Sequence, residues 1–153
     1  MAYSLQAFIC RQQDFSIISD AFNHARKFDL KQGIALIPMT AELYSQMNSF
    51  AATRSIRASV LLPENIENAL LRAIGNIHVG YVEADYFGGR GGQEAIVWKN
   101  NKRDAVLSAG PGVINKVLKG FGVIALQGID EFDTLDFGSK RKTNHWLNNY
   151  NVG

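Results

Sequence analysis

Hydrophobic positions along this chain change period several times, and each change marks an element. Ser4 to Cys10 alternates and carries Leu, Phe and Ile, which predicts a short strand. Asp14 stands where a helix N-cap would stand, and Phe15, Ile18, Phe22 and Ala25 then recur at helical spacing to about Lys27. Gly33 to Pro38 is a continuous apolar run closed by proline, the pattern of a central strand. Thr40 caps the next expected helix, with Glu42 in its first turn and Leu43, Met47 and Phe50 on one side. From 51 to 62 the chain fits neither period, and no element is assigned there. Pro63 opens a helix whose stripe is Ile66, Ala69, Leu70, Ala73 and Ile74, with Gly75 or Asn76 as its stop.

The stretch from Ile77 to Trp98 organises the rest. Two runs rich in Val, Ile, Tyr, Phe and Trp flank Gly88-Gly89-Arg90-Gly91-Gly92, the order of residue types in a β-hairpin. A turn centred on Arg90 sets Val82 against Trp98 and Ala84 against Ile96 on a core face. Tyr81, Glu83, Asp85 and Phe87 then fall on an outer face, opposite Lys99, Val97, Ala95 and Gln93.

Beyond the hairpin, Asn100 to Asp104 is a second polar turn, and Ala105 to Leu107 adds a third strand to a meander. Gly110-Pro111-Gly112 breaks it, and Val113, Ile114, Val117, Leu118 and Phe121 supply a last helix that stops at Gly122. An acidic stretch around Phe132, Leu135 and Phe137 follows, then a polar tail from about 139. The expected fold is α+β: a single domain over 1–153, with a mixed, mainly antiparallel sheet of about five strands and helices packed on one side.

Composition narrows the function classes without naming one. The chain has 153 residues, 46% hydrophobic and 20% charged, an ordinary globular balance. Sixteen Lys and Arg against 14 Asp and Glu give no global field for capturing nucleic acid or an anionic membrane. Cys10 is the one cysteine, so an internal disulfide and a cysteine-based zinc site are both excluded. No stretch reads as a signal peptide or a membrane span, and a cytoplasmic location is expected.

Candidate chemistry is sparse. Glu83 and Asp85 are two apart on a strand and share a face, a spacing that suits an acid/base pair or a metal-dependent hydrolase with Arg90 as anion partner. The bland alternative is a solvated sheet face. The glycine-rich loop around Arg90 lacks the following helix that phosphate loops use. His24, His78 and His145 are scattered, and Cys10 lies in an apolar strand, so neither a metal motif nor a nucleophilic couple forms locally. Lys99, Lys102 and Arg103 in the second turn, and Lys140-Arg141-Lys142 near Trp146, would suit a nucleic-acid-binding module. Asp130, Glu131, Asp133 and Asp136, with Phe132 and Phe137, would instead meet a basic protein surface.

Tyr81-Val-Glu-Ala-Asp-Tyr-Phe-Gly-Gly89, with Gln93, Ala95 and Trp98 and then Asp130-Glu-Phe-Asp133, resembles small bacterial immunity proteins of polymorphic and contact-dependent growth-inhibition toxin systems. That resemblance covers mainly residues 77–146. It implies a non-enzymatic cytosolic protein that binds a cognate toxin domain, often a nuclease, and neutralises it by covering its active or substrate-binding face. No catalytic residue, metal or cofactor is expected on this reading. The partner surface it implies is Tyr81, Glu83, Asp85, Phe87, Arg90, Asp130, Glu131 and Asp133. The near-zero net charge departs from strongly acidic nuclease inhibitors and speaks against mimicry of nucleic acid.

Overall fold

The structure is a computed structural model that describes residues 2–49, 62–88, 90–110 and 112–147. Six strands form one sheet: β1 (Ala2–Arg11), β2 (Phe28–Asp29), β3 (Ile34–Pro38), β4 (Val79–Phe87), β5 (Arg90–Lys99) and β6 (Lys102–Gly110). Their order is β2-β3-β1-β4-β5-β6, and every pairing between named strands is antiparallel. The helices are α1 (Phe15–Ala21), α2 (Ala41–Ser49), α3 (Glu64–Ile74), α4 (Val113–Gly120) and the short α5 (Glu131–Thr134). The α+β class and the antiparallel sheet agree with the pattern of the sequence.

Alternating strand positions feed two apolar clusters, one per sheet face. Phe8, Cys10, Ile37, Tyr81, Ile96 and Trp98 pack against Ile18 of α1, Leu43 and Met47 of α2, and Ile66 and Leu70 of α3. The expected layer of helices on one side is therefore α1 to α3. The intervening positions, Leu5, Ala7, Ile9, Leu36, Val82, Ala84 and Val97, need a cover of their own. They find it in α4, through Ile114, Val117 and Leu118, and in Leu135, Phe137 and Trp146. Gly80 lets α4 approach closely, because a Cβ there would stand 3.1 Å from Val117 Cγ1.

Several local readings change. Asp14 makes no side-chain cap, and α1 stops at Ala21, where Phe22 turns extended at φ −132°; Phe22 and Ala25 remain in the core without being helical. Thr40 does cap α2, its Oγ1 accepting from the Leu43 amide at 3.1 Å. Pro63 is the N-cap of α3 and not its first helical residue. Phe50 and residues 51–61 lie outside the described residues.

Of the expected polar tail, the described residues to 147 form a strap, and residues 148–153 lie outside the described residues. Where β3 no longer flanks β1, residues 141–143 take its place: the Ser4 amide donates to the Arg141 carbonyl at 2.8 Å and the Gln6 amide to Thr143 Oγ1 at 3.0 Å. Trp146 is buried beside Phe28 and Phe137. Lys140 Nζ lies 4.9 Å from the Phe28 ring and 5.4 Å from the Trp146 ring, a cation–π contact with both.

Candidate functional site

The hairpin forms, but in a different register from the expected one. Phe87 faces Arg90, Asp85 faces Gly92, Glu83 faces Glu94 and Tyr81 faces Ile96. The reversal thus falls between Phe87 and Arg90, ahead of the expected centre. Gly91 then lies inside β5 at φ 146°, where a Cβ would meet the Asp85 carbonyl oxygen at 1.8 Å. An odd shift in register exchanges the faces of one strand relative to the other. Trp98 and Ile96 consequently share the face of Tyr81, Glu83 and Asp85, and Trp98 no longer opposes Val82.

That shared face is apolar near the helices and polar toward the hairpin tip. Tyr81, expected on the surface, is only 2% exposed. Its hydroxyl donates to Glu83 Oε2 at 2.7 Å, and burial beside that carboxylate raises its pKa. Glu83 is half-buried. Burial lifts its carboxyl above the ordinary carboxylate range, the Tyr81 hydrogen bond opposes this, and the Glu94 and Asp85 charges lift it further. Among the described residues no lysine or arginine forms an ion pair with Glu83, Asp85 or Glu94. Asp85 and Arg90 are exposed, and the Phe87 side chain stands 75% exposed.

Two concavities open on this face, and the acids line the smaller one. A hollow of about 260 Å³ is lined by Glu83, Asp85, Gly92 and Glu94. Across β1, where Gln6 pairs with Glu83 and Ser4 with Asp85, an open cleft of about 710 Å³ runs between Tyr44 and Ser45 of α2 and the strap residues Lys142 and His145. The larger cleft is mixed in character and holds no convergent carboxylates. The hollow is the electrostatically distinct part of this face. Glu94 belongs to the hollow, whereas Gln6 and Ser4 line the larger cleft beside it, and none of the three is among the site residues the sequence singles out. The wrong register hid Glu94; nothing in the sequence marked the other two.

The C-terminal acids do not join this face. Asp130 caps α5, its Oδ1 accepting from the Asp133 amide at 2.8 Å and its Oδ2 from Asn115 Nδ2 at 3.1 Å. Glu131 is 7% exposed, with Lys119 Nζ at 4.0 Å. Phe132 meets Tyr3 and Phe137 in the α4-face core, so these rings pin the segment and do not anchor a partner. The eight residues expected to share one partner surface therefore divide: Glu83, Asp85, Phe87 and Arg90 lie on or beside the open hairpin face, Asp130 and Asp133 in the opposite layer, and Tyr81 and Glu131 inside.

Other candidates resolve into structure. Arg103 donates to both oxygens of Glu67, at 2.6 and 2.8 Å, while Trp98 Nε1 donates to Glu67 Oε2 at 2.7 Å. Lys99 lies 3.8 Å from Asp104, which leaves the basic turn largely neutralised. Trp146 is buried and presents no stacking platform for a base. His78 stacks on Phe121 with ring centroids 3.7 Å apart, and burial with nearby Lys99 and Arg11 pulls its pKa down to about 4. Cys10 is fully buried, and that burial pushes its thiol up to about 12, far from nucleophilic range.

Among the described residues no three His, Cys, Asp or Glu side chains are placed to hold a metal ion, and no helix is long and apolar enough to cross a membrane. Compared with protein-family models, curated proteins and solved structures, the chain matches none.

Proposed function

We propose that this protein is a non-enzymatic, cytoplasmic immunity protein, and that it neutralises a cognate bacterial toxin by laying its hairpin face over the toxin's active or substrate-binding surface. One observation carries the reading. Glu83 and Glu94 face each other directly across β4 and β5, Asp85 extends the row, and no described lysine or arginine forms an ion pair with any of the three. Like charges in directly opposed positions are unfavourable in a free sheet. A basic partner surface, such as the face a nuclease offers to its substrate, would relieve that repulsion. Phe87 beside the row supplies the aromatic anchor that protein interfaces use, and Arg90 faces it across the tip. The reading follows the resemblance, drawn from the sequence, of residues 77–146 to immunity proteins.

The test is protection of cells in which this protein is co-expressed with its cognate toxin domain. Glu83→Gln, Asp85→Asn and Glu94→Gln together remove three charges with little change of shape, and should abolish protection. Asp130→Asn with Asp133→Asn, in the opposite layer, should leave it intact. Full protection by the hairpin variant would refute the proposed surface.

A further inference from the structure

At one side the sheet ends in β2, only two residues long; at the other it ends in β6, which runs nine residues. Among the described residues nothing pairs with the outer edge of β6. Such an edge presents unpaired backbone N–H and C=O groups, a template for another strand. Charged residues are the usual guard, and here they stand only at the start, at Lys102, Arg103 and Asp104. Ala105-Val106-Leu107-Ser108 carries none. Val106 pairs with buried Ile96 on the face of α1 to α3 but is itself 52% exposed. On the other face, Ala105 and Leu107 are only partly covered by the α4-side core.

We infer that β6 pairs with β6 of a second copy of this chain, antiparallel about a two-fold axis through Val106, so that two sheets become one. The inference is independent of toxin binding. A two-fold interface requires a self-complementary surface, and in this register the strand is one. Val106 meets its own counterpart, and Ala105 faces the counterpart of Leu107, which continues the apolar row on the α4 face. Asp104 faces Ser108, and Lys102 falls opposite Gly110, so no like charges oppose each other. An axis through Asp104 or Arg103 would set like charges face to face, which is unfavourable. This charge pattern selects a second copy over an unrelated extended peptide, which would gain the backbone bonds without the side-chain match. A contact limited to one strand edge lies below the size of permanent interfaces, so the dimer is reversible and concentration-dependent.

Sedimentation velocity of the full chain over a concentration series, joined to hydrogen exchange, tests this. The expected result is a monomer–dimer equilibrium in which amide protection in β6 rises with concentration. Val106→Lys opposes two ammonium groups at the axis and should raise the dissociation constant at least about tenfold, with the circular dichroism spectrum unchanged. Ser108→Lys, which creates two Lys–Asp104 pairs across the interface, should lower it about twofold to fivefold, and it serves as the probe should Val106→Lys not fold. A monomer at every concentration overturns the inference. So does a dimer without added β6 protection, a dimer indifferent to Val106→Lys, or one that Ser108→Lys leaves unchanged or weakens.

Discussion

At the scale of single residues, two glutamates on one side of the sheet, Glu67 of α3 and Glu83 of β4, have opposite fates. Glu67 is buried, and burial alone would raise its pKa; hydrogen bonds from Arg103 and Trp98, with the Arg103 charge, hold it below the ordinary carboxylate range. A carboxylate lowered on folding adds stability above its unfolded pKa, and that stability is lost as pH falls through the folded value. Glu67→Gln should therefore cost about 2 kcal/mol at pH 7 by leaving charged Arg103 poorly paired, and less in acid, as urea titrations at both pH values will show. Glu83 is shifted the other way, by burial first and then by its carboxylate neighbours. Its charge works against folding once pH rises through the carboxylate range. Glu83→Gln should consequently stabilise the protein at pH 7, by about 0.5–1 kcal/mol, and converge with the parent in acid. On the proposed function the same change should weaken binding to the toxin, the trade between stability and activity expected of a site whose charges await a partner. Neither fate was legible in the sequence, where Glu67 was simply an unmarked position between two stripe residues.

At the scale of elements, most of the fold was legible and the register was not. The stripes of α3 and α4, the Thr40 cap and the third meander strand announce themselves through spacing and turn chemistry, and so does the polar turn expected over 100–104, although β6 already begins at Lys102. Asn100 and Asn101 do adopt positive φ, at 54° and 66°. The glycine run of the hairpin carried too little information, because any of its residues tolerates a reversal. The deciding contact is tertiary: Gly91 is the position pressed against the Asp85 carbonyl. Gly91→Ala, introducing a Cβ into that contact at a φ unsuited to it, should cost about 2–3 kcal/mol in urea unfolding and broaden amide signals along β4 and β5 in NMR spectra. Loss of less than about 0.5 kcal/mol would mean the strands accommodate a side chain there. The odd shift is also why Glu94 was overlooked: in the expected pairing it lay on the face of the core residues.

At the scale of the whole molecule, both sheet faces are covered, and the second cover was the part least visible beforehand. Leu135, Phe137 and Trp146 are too sparse to show helical periodicity, yet all three complete the α4-side core. Their segment is held by two backbone-directed bonds to β1 and by Lys140 over two rings. Trp146→Ala should cost about 3–5 kcal/mol and release the strap, read as loss of amide protection at Ser4 and Gln6. The strap and the tip of the β4–β5 hairpin leave the acidic row open between them, with the C-terminal acids in the opposite layer. The chain's small net charge is then no obstacle to binding a basic surface, since the unbalanced charge is local.

The proposal that this hairpin face grips the toxin is tested most directly by calorimetric titration of the purified toxin domain into the parent protein and into the Asp85→Ala, Phe87→Ala, Glu94→Ala variant. A folded variant whose affinity falls by about a hundredfold or more is the expected result, in keeping with loss of an aromatic anchor and two charges at the centre of an interface. Equal affinity for the two proteins would contradict it.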